Sequence, residues 1–169
     1  LSNIPLDEDG VNDAHSLAER LSKENWEVIY SSDLLRAKQT AEIINLKLGI
    51  ESIYFDEKLR EMRGGKIEGT TEEERIHNWG QNWREIELGL ESPVEGMLRG
   101  TQIIEEIAKQ HANKNVLIVS HGALIGNSLK KLIPLFNTEE HLKNTSITKL
   151  KKINNIWECE VYNCTIHLG

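Results

Sequence analysis

The sequence predicts an α/β layered domain that has a mostly parallel sheet with an antiparallel edge. The first observation is that short apolar runs alternate with longer segments of helical periodicity along most of the chain. The second is the run Val116–Val119, whose four consecutive apolar residues are typical of a strand buried on both faces of a parallel sheet. The third is the pair Asn154-Asn155 between two strand-like segments, which predicts a hairpin.

Helices and strands alternate in the first part of the sequence. Asp7 can cap a helix whose apolar residues recur at spacings of three and four. Ser32 or Asp33 can cap a second helix, which Gly49 can stop. A short apolar segment follows each helix and is predicted to be a strand. The predicted elements are a helix over 8–22, a strand over 28–30, a helix over 34–48 and a strand over 53–55.

The rest of the sequence combines an irregular loop with further helices and strands. Residues 56–70 are rich in charge and contain three glycines, which favours a loop. Thr71 begins a polar helical stretch, on which Trp79 and Trp83 are expected to pack as a pair. The other predicted elements are a helix from Ser92 to about His111, a strand over 116–119, a helix over 123–133, a short helix near 138–142, and strands over 146–151 and 156–162.

Composition narrows the class of protein. The 169 residues, of which 38% are hydrophobic, fit one domain over 1–169, and no segment approaches the roughly 18 apolar residues that span a bilayer. A net charge of -7 argues against a nucleic-acid surface, so we expect neither a nucleic-acid nor a membrane partner. The acidic start does not resemble a signal peptide, and Cys159 and Cys164 match no redox or zinc motif. These features predict a cytoplasmic protein.

Two predicted strands end in polar turns that lead into helices, Ser31-Ser32 and Ser120-His121. In a parallel sheet both turns lie at the same edge, where α/β folds place ligands. Arg36 follows in the first turn of its helix, and a guanidinium group beside an imidazole ring suits a phosphate group. On position alone, His121 could equally complete a turn, and Arg36 could be a solvated helix arginine.

Four segments resemble, in the same order, the signatures of the histidine phosphatase superfamily, the phosphoglycerate mutase-like proteins. Residues 31–41, Ser-Ser-Asp-Leu-Leu-Arg-Ala-Lys-Gln-Thr-Ala, closely resemble one signature, and residues 4–10 are similar to the segment before the first helix. Leu59-Arg60-Glu61 resembles the loop that carries the catalytic acid, and Val119-Ser120-His121-Gly122 resembles the second histidine motif. The resemblance extends from Ile4 to the predicted hairpin.

The resemblance implies a three-layer α/β/α fold with a mostly parallel central sheet, phosphoglycerate mutase-like, and a phosphomonoester hydrolase. In this family a histidine of an Arg-His-Gly motif attacks phosphorus, a carboxylic acid protonates the leaving oxygen, and water hydrolyses the phosphohistidine. Carried over, Glu61 resembles the proton donor and His121 the second catalytic histidine. Arg36, His121 and Gly122 resemble the phosphate-binding groups. The resemblance also implies a small phosphorylated substrate, with no metal and no cofactor.

The sequence departs from the family pattern because it contains no Arg-His-Gly. We therefore expect the first strand and its nucleophilic histidine upstream of Leu1, in a segment that activity requires. The alternatives are a phosphoglycerate mutase and a relative that binds a phosphorylated ligand without turnover. The short separation of Glu61 and His121 favours the phosphatase branch, since the resemblance to mutases would bring a longer insertion there. The oligomeric state stays open, a homodimer included.

Other titratable groups compete for these roles. Three carboxylates of the same loop are alternatives to Glu61 as the acid, although each fits a solvated loop charge better. These carboxylates are Asp56, Glu57 and Glu68. His167, near the end of the sequence, is a weak candidate for the rim of the site.

Overall fold

The computed structural model describes residues 3–169, and it confirms an α/β fold with a parallel central sheet. The helices are α1 (Glu8–Leu21), α2 (Leu35–Leu48), α3 (Glu72–Trp79), α4 (Pro93–Gln110) and α5 (Gly122–Leu132). The strands are β1 (Val28–Ser31), β2 (Ile53–Phe55), β3 (Val116–Val119), β4 (Ile147–Ile153) and β5 (Ile156–Cys164). Strands β1 to β3 form the parallel sheet, and β4 and β5 form an antiparallel pair.

Strand β1 lies at the centre of the parallel sheet, whose order is β2-β1-β3. Ile29 pairs in register with Ile53 of β2 and with Leu117 of β3. All four residues of β1 are buried. Strand β3 is only half-buried, although its apolar run predicts burial on both faces. The reason is that within residues 3–169 no strand pairs with its outer edge.

Side chains of β1 alternate between two apolar clusters, one on each face of the sheet. Ile29 packs with α1 and α2 on one face. Val28 and Tyr30 pack on the other face with Leu59 and with two isoleucines of α4, and α5 lies against α4. The sheet is therefore the middle of three layers, and the carboxyl end of β1 is fixed from both sides.

The hairpin near the end of the chain is confirmed. Ile153 pairs with Ile156, and the two residues between them take positive φ angles of 50° at Asn154 and 64° at Asn155. Asparagine tolerates this left-handed conformation, and a two-residue turn of type I′ requires it at both positions. The strands are longer than predicted and end at Ile153 and Cys164.

The predicted cap of α2 is wrong. The helix begins one residue later than predicted, and its N-cap residue is Leu34, whose side chain makes no capping hydrogen bond. Ser32 Oγ accepts a hydrogen bond from Leu34 N, so it orders the turn before the helix. The Oδ1 atom of Asn3, from the start of the chain, accepts the N–H of Leu35 (2.7 Å) in the place of a local cap.

Two predictions about helices are also wrong. Trp83 does not lie on the same helix as Trp79, because α3 ends at Gly80, which has a φ of 86°, and Trp83 begins a separate short turn. Residues 138–142 form no helix, because Asn163 of β5 accepts a hydrogen bond from Lys143 N and donates one to a neighbouring carbonyl oxygen. No helix within residues 3–169 has both the length and the apolar character of a membrane span.

Close packing of α4 on α5 depends on Gly100. A Cβ atom there would lie 1.9 Å from Ser128 Oγ, which is buried and donates a hydrogen bond to Leu124 O. We expect Gly100→Ala to lower the free energy of unfolding by about 1 kcal/mol, because Ser128 must give up its hydrogen bond or the helices must separate. Urea unfolding measures this change.

The matched control for this substitution is Gly126→Ala in α5, where an added Cβ would meet open space. This control should be neutral or stabilising by about 0.5–1 kcal/mol, as alanine is in a helix interior. Combining Gly100→Ala with Ser128→Ala should recover part of the loss. Equal effects of the two glycine substitutions would show that the close contact does not matter.

Candidate functional site

The carboxyl ends of β1 and β3 meet at one edge of the sheet. The backbone N–H of Ser32 donates to Val119 O (2.9 Å), which holds the two polar turns side by side. His121 is the N-cap residue of α5, and its Nε2 atom lies 2.8 Å from Ser32 Oγ. A buried polar contact therefore joins residues that are 89 positions apart in the sequence.

His121 is buried, with 6% of its surface exposed. Burial is the main reason that its pKa falls to about 4, since the charged imidazole loses its hydration there. The positive charge of Arg36 lowers the pKa further, whereas the carboxylate of Glu61 opposes the change. His121 is therefore neutral near pH 7, so its ring has one N–H donor and one acceptor nitrogen.

Arg36 and Gly122 lie on the two helices that start at this edge. Arg36 is half-buried in the first turn of α2, close enough to His121 for its charge to act on the imidazole. Gly122 is the first residue of α5 and is exposed to solvent. A helix start carries partial positive charge, so an anion here would meet the guanidinium group and the amino end of α5.

Glu61 reaches the same place from the loop that follows β2. Its Oε1 atom accepts hydrogen bonds from Met62 N (2.9 Å) and Leu124 N (3.0 Å). Its Oε2 atom lies 3.3 Å from Ala123 N. The carboxylate thus lies over the first turn of α5, directly after His121. The structure brings together all four residues that the sequence indicates.

The loop that carries Glu61 is tied to the sheet on several sides. Leu59 is buried in the apolar cluster under the sheet, and its carbonyl oxygen accepts a hydrogen bond from Ser120 Oγ (2.7 Å). Arg60 donates two hydrogen bonds, of 2.6 and 2.7 Å, to the carboxylate of Asp33 at the end of β1. This bidentate contact is the largest cause that lowers the pKa of Asp33. The loop is therefore held at the edge of the sheet by contacts on several sides.

The competing residues lie elsewhere or have other partners. Asp56 accepts the N–H of Lys58 as a local cap, and Glu68 accepts the N–H of Gly64. His167 contacts Arg20 of α1, where its Nδ1 atom lies 2.9 Å from Nη1 of the arginine. His167 therefore does not contribute to the rim of this site.

Three residues make contacts at the site that the sequence analysis did not predict. Ser32 contacts the imidazole of His121, and Arg99 lowers the pKa of His121 through its charge. Glu91 is buried and binds Arg99. A signal for Arg99 does exist, because it lies four residues before Ile103 on the buried stripe of α4, where a charged side chain is unusual.

Metal-binding clusters are a separate question. Within residues 3–169, no group of three or more His, Cys, Asp or Glu side chains is arranged to hold a metal ion. The donors at the sheet edge are instead a guanidinium group and a neutral imidazole, beside a helix start whose N–H groups at Ala123 and Leu124 bind Glu61. This set is suited to the oxygens of a phosphate group.

Sequence comparisons identify the family to which the chain belongs. The family model for the histidine phosphatase superfamily (branch 1) matches residues 1–165. The uncharacterized phosphatase PhoE of Bacillus subtilis is 30% identical, over 99% of this chain and 86% of its own length. The metal-independent phosphoserine phosphatase of Arabidopsis thaliana is 30% identical, over 97% and 73%. Phosphoglycerate mutase-like protein 4 of the same plant is 29% identical, over 98% and 77%.

Solved structures show the same fold. Bacillus stearothermophilus YhfR superposes with a TM-score of 0.86 at 27% identity, and the match covers 99% of this chain and 88% of that one. A histidine-to-alanine mutant of Entamoeba histolytica phosphoserine phosphatase, in complex with phosphoserine, has a TM-score of 0.79 at 27% identity over 99% and 88%. A mycobacterial glucosyl-3-phosphoglycerate phosphatase has a TM-score of 0.81 at 27% identity over 95% and 88%.

Proposed function

Because the chain belongs to the histidine phosphatase superfamily (branch 1), we propose that it hydrolyses small phosphomonoesters through a phosphohistidine intermediate. The observation that carries this proposal is the buried, neutral His121, on which the charges of the Arg36 guanidinium group and the Glu61 carboxylate both act. Preorganised donors of this kind stabilise the charge on phosphoryl oxygens in the transition state. Several of its relatives are named as phosphatases.

The proposed reaction has two steps, and neither step requires a metal ion or a cofactor. In the first step a histidine nitrogen attacks phosphorus, the bond from phosphorus to the ester oxygen breaks, and Glu61 gives its proton to that oxygen. In the second step Glu61 takes a proton from water, whose oxygen attacks phosphorus while the nitrogen–phosphorus bond breaks. Arg36, His121 and Gly122 hold the phosphoryl oxygens throughout.

We assign the attacking histidine to a segment upstream of Leu1. Within residues 3–169 no strand pairs with the outer edge of β3, which supports this assignment, because a parallel strand added there would end beside His121. The half-burial of the apolar run of β3 has the same explanation, since such a strand would cover it. The phosphoserine complex of the Entamoeba enzyme, solved with a histidine replaced by alanine, is consistent with a histidine that turnover requires.

The test uses the protein translated from its natural start codon. We expect release of inorganic phosphate from an aryl phosphate and from an alkyl phosphate, and acid-labile phosphate on the protein after rapid quenching. Isomerisation of phosphoglycerate at a higher rate than its hydrolysis would assign the protein to the mutases. Binding of vanadate without any hydrolysis would leave only a ligand-binding role and would overturn the proposal.

Arg36 is expected to act on binding and turnover together. Arg36→Ala should lower kcat/KM for an aryl phosphate by about 100-fold and should weaken vanadate binding as well, because the guanidinium group contacts the phosphoryl oxygens in both states. Steady-state kinetics and a vanadate titration measure the two effects. Lys38→Ala, on the exposed face of the same helix, is the control and should change neither. An unchanged vanadate affinity in Arg36→Ala would contradict the assignment.

A further inference from the structure

All five N–H groups of the Arg99 guanidinium have acceptors, and the acceptors form two sets. The first set is the carboxylate of Glu91, which accepts hydrogen bonds from Nε and Nη2 in a bidentate contact, and both distances are 2.9 Å. The second set is backbone carbonyl oxygens of the loop before and at Glu61. Nη1 donates to Lys58 O (2.7 Å) and Arg60 O (2.9 Å), and Nη2 lies 3.5 Å from Glu61 O.

Glu91 is fixed as firmly as the arginine that it binds. Its side chain is 1% exposed, and its Oε2 atom also accepts the N–H of Arg63 (3.0 Å). The backbone N–H of Glu91 donates in return to Arg63 O (2.8 Å). The hydrogen bonds from Arg99 are the largest cause that lowers the pKa of Glu91, so this carboxylate is ionised near pH 7. The guanidinium group consequently has one orientation available.

Such a pair is not an efficient source of stability. Removing two charges from water costs about as much as their attraction returns, and well-packed apolar residues often serve as well. An apolar pair could not donate hydrogen bonds to the carbonyl oxygens of Lys58, Arg60 and Glu61 in a fixed geometry. These carbonyls belong to the backbone from which the carboxylate of Glu61 projects toward α5.

We propose that Arg99, oriented by the buried Glu91, is a positioning residue that holds the backbone of Glu61 so that its carboxyl group meets the leaving oxygen. The inference rests on the proposed phosphatase function. Proton transfer needs heavy-atom distances near 3 Å, and a displacement of about 1 Å can cost 100-fold in rate. The hydrogen bonds of Arg99 act through Glu61 and do not reach the substrate, and its charge, which also acts on His121, is kept when lysine replaces it.

The choice of substrate separates positioning of the acid from a general structural role. An alkyl phosphate has a poor leaving group that needs the proton from Glu61, whereas the phenolate of p-nitrophenyl phosphate leaves without much help. We expect Arg99→Lys, which keeps the charge but has too few donors for all five acceptors, to lower kcat/KM for glycerol phosphate by about 10- to 100-fold. The loss of kcat/KM with p-nitrophenyl phosphate should be less than about 3-fold, because kcat/KM reports the first step and not the hydrolysis of the phosphohistidine, which both substrates share.

A double-mutant cycle with Glu61→Gln tests whether the effect passes through Glu61. In that background Arg99→Lys should change the turnover of glycerol phosphate by less than about 2-fold, because the group that it positions is already absent. Arg84→Lys is the matched control, since Arg84 also donates to a glutamate, Glu72, but lies outside the site. This control should leave both substrates unaffected.

Three results would overturn the inference. The first is an equal loss with both substrates, and the second is additive effects of Arg99→Lys and Glu61→Gln. If Arg99→Lys does not fold, the double variant Glu91→Leu with Arg99→Met removes both charges and carries the same comparison. Loss of the fold in both variants, the third result, would assign the pair to stability alone.

Failure of the proposed function would look different, because the wild-type protein would then hydrolyse neither substrate.

Discussion

Glu61→Gln is expected to lower kcat for an alkyl phosphate by about 10²–10⁴-fold while vanadate affinity changes by less than about 3-fold. Glutamine keeps the shape and an oxygen that can accept the N–H of Leu124, so the loop should stay in place. It cannot deliver a proton to the leaving oxygen or take one from water. The expected result is therefore loss of chemistry with retention of binding, measured by steady-state kinetics and by vanadate titration.

Glu57→Gln provides the control within the same loop. Glu57 is exposed in the turn that precedes Leu59, two residues before the loop enters the core. This substitution removes one negative charge near the site but should leave kcat within about 2-fold of the wild type. Equal losses of turnover and of vanadate affinity in Glu61→Gln would count against Glu61 as the acid. A large loss of turnover in Glu57→Gln would assign that role to Glu57 instead.

The free energy of unfolding is expected to fall by up to about 3 kcal/mol as the pH drops from 6.5 to 4, because of His121 alone. In the folded protein the pKa of His121 falls from its ordinary 6.5 to about 4. The largest cause is burial, and the second is the positive charge of Arg36. Over this interval the unfolded chain binds a proton that the folded protein does not. The contribution is complete above pH 6.5 and is lost as the pH falls toward 4.

Urea unfolding of the wild type and of His121→Gln across this pH range isolates the effect. The amide of glutamine can reach the position of Nε2 and bond to Ser32 Oγ but does not titrate, so the difference between the two curves should shrink steadily from pH 7 to pH 4. Asp33 and Glu91 also have lowered pKa values, but their ordinary values of 3.8 and 4.5 confine their loss to the acid end of this range and below it. Parallel curves for the two proteins would show that His121 is not buried in the neutral form.

Most elements of the fold follow from local features of the sequence. Asp7 caps α1 as its position predicts, and the asparagine pair forms the hairpin turn, because each depends on contacts within a few residues. The errors have long-range causes. The cap of α2 comes from Asn3, 32 positions away, and the segment before β4 is held by Asn163 of a later strand. No local pattern contains these contacts.

The site was predictable to the extent that its residues carry motifs. His121, Arg36 and Glu61 belong to segments that resemble a known family, and the structure brings them together. The supporting contacts were not predictable in this way. Ser32 reaches His121 only because β1 and β3 pair, and Arg99 reaches the loop of Glu61 from a helix 38 positions away. Their partners are set by tertiary packing.

The contact between Ser32 and His121 has a consequence for synthesis of the protein. A ribosome adds about 5–20 residues per second, so it makes His121, at the end of β3, roughly 5–20 seconds after Ser32, at the end of β1. Until then β1, the most buried strand, has no partner on the side that β3 will occupy. The edge of β1 stays open to pairing with other chains during this time, and an amino-terminal fragment that ends before α5 lacks part of the candidate site.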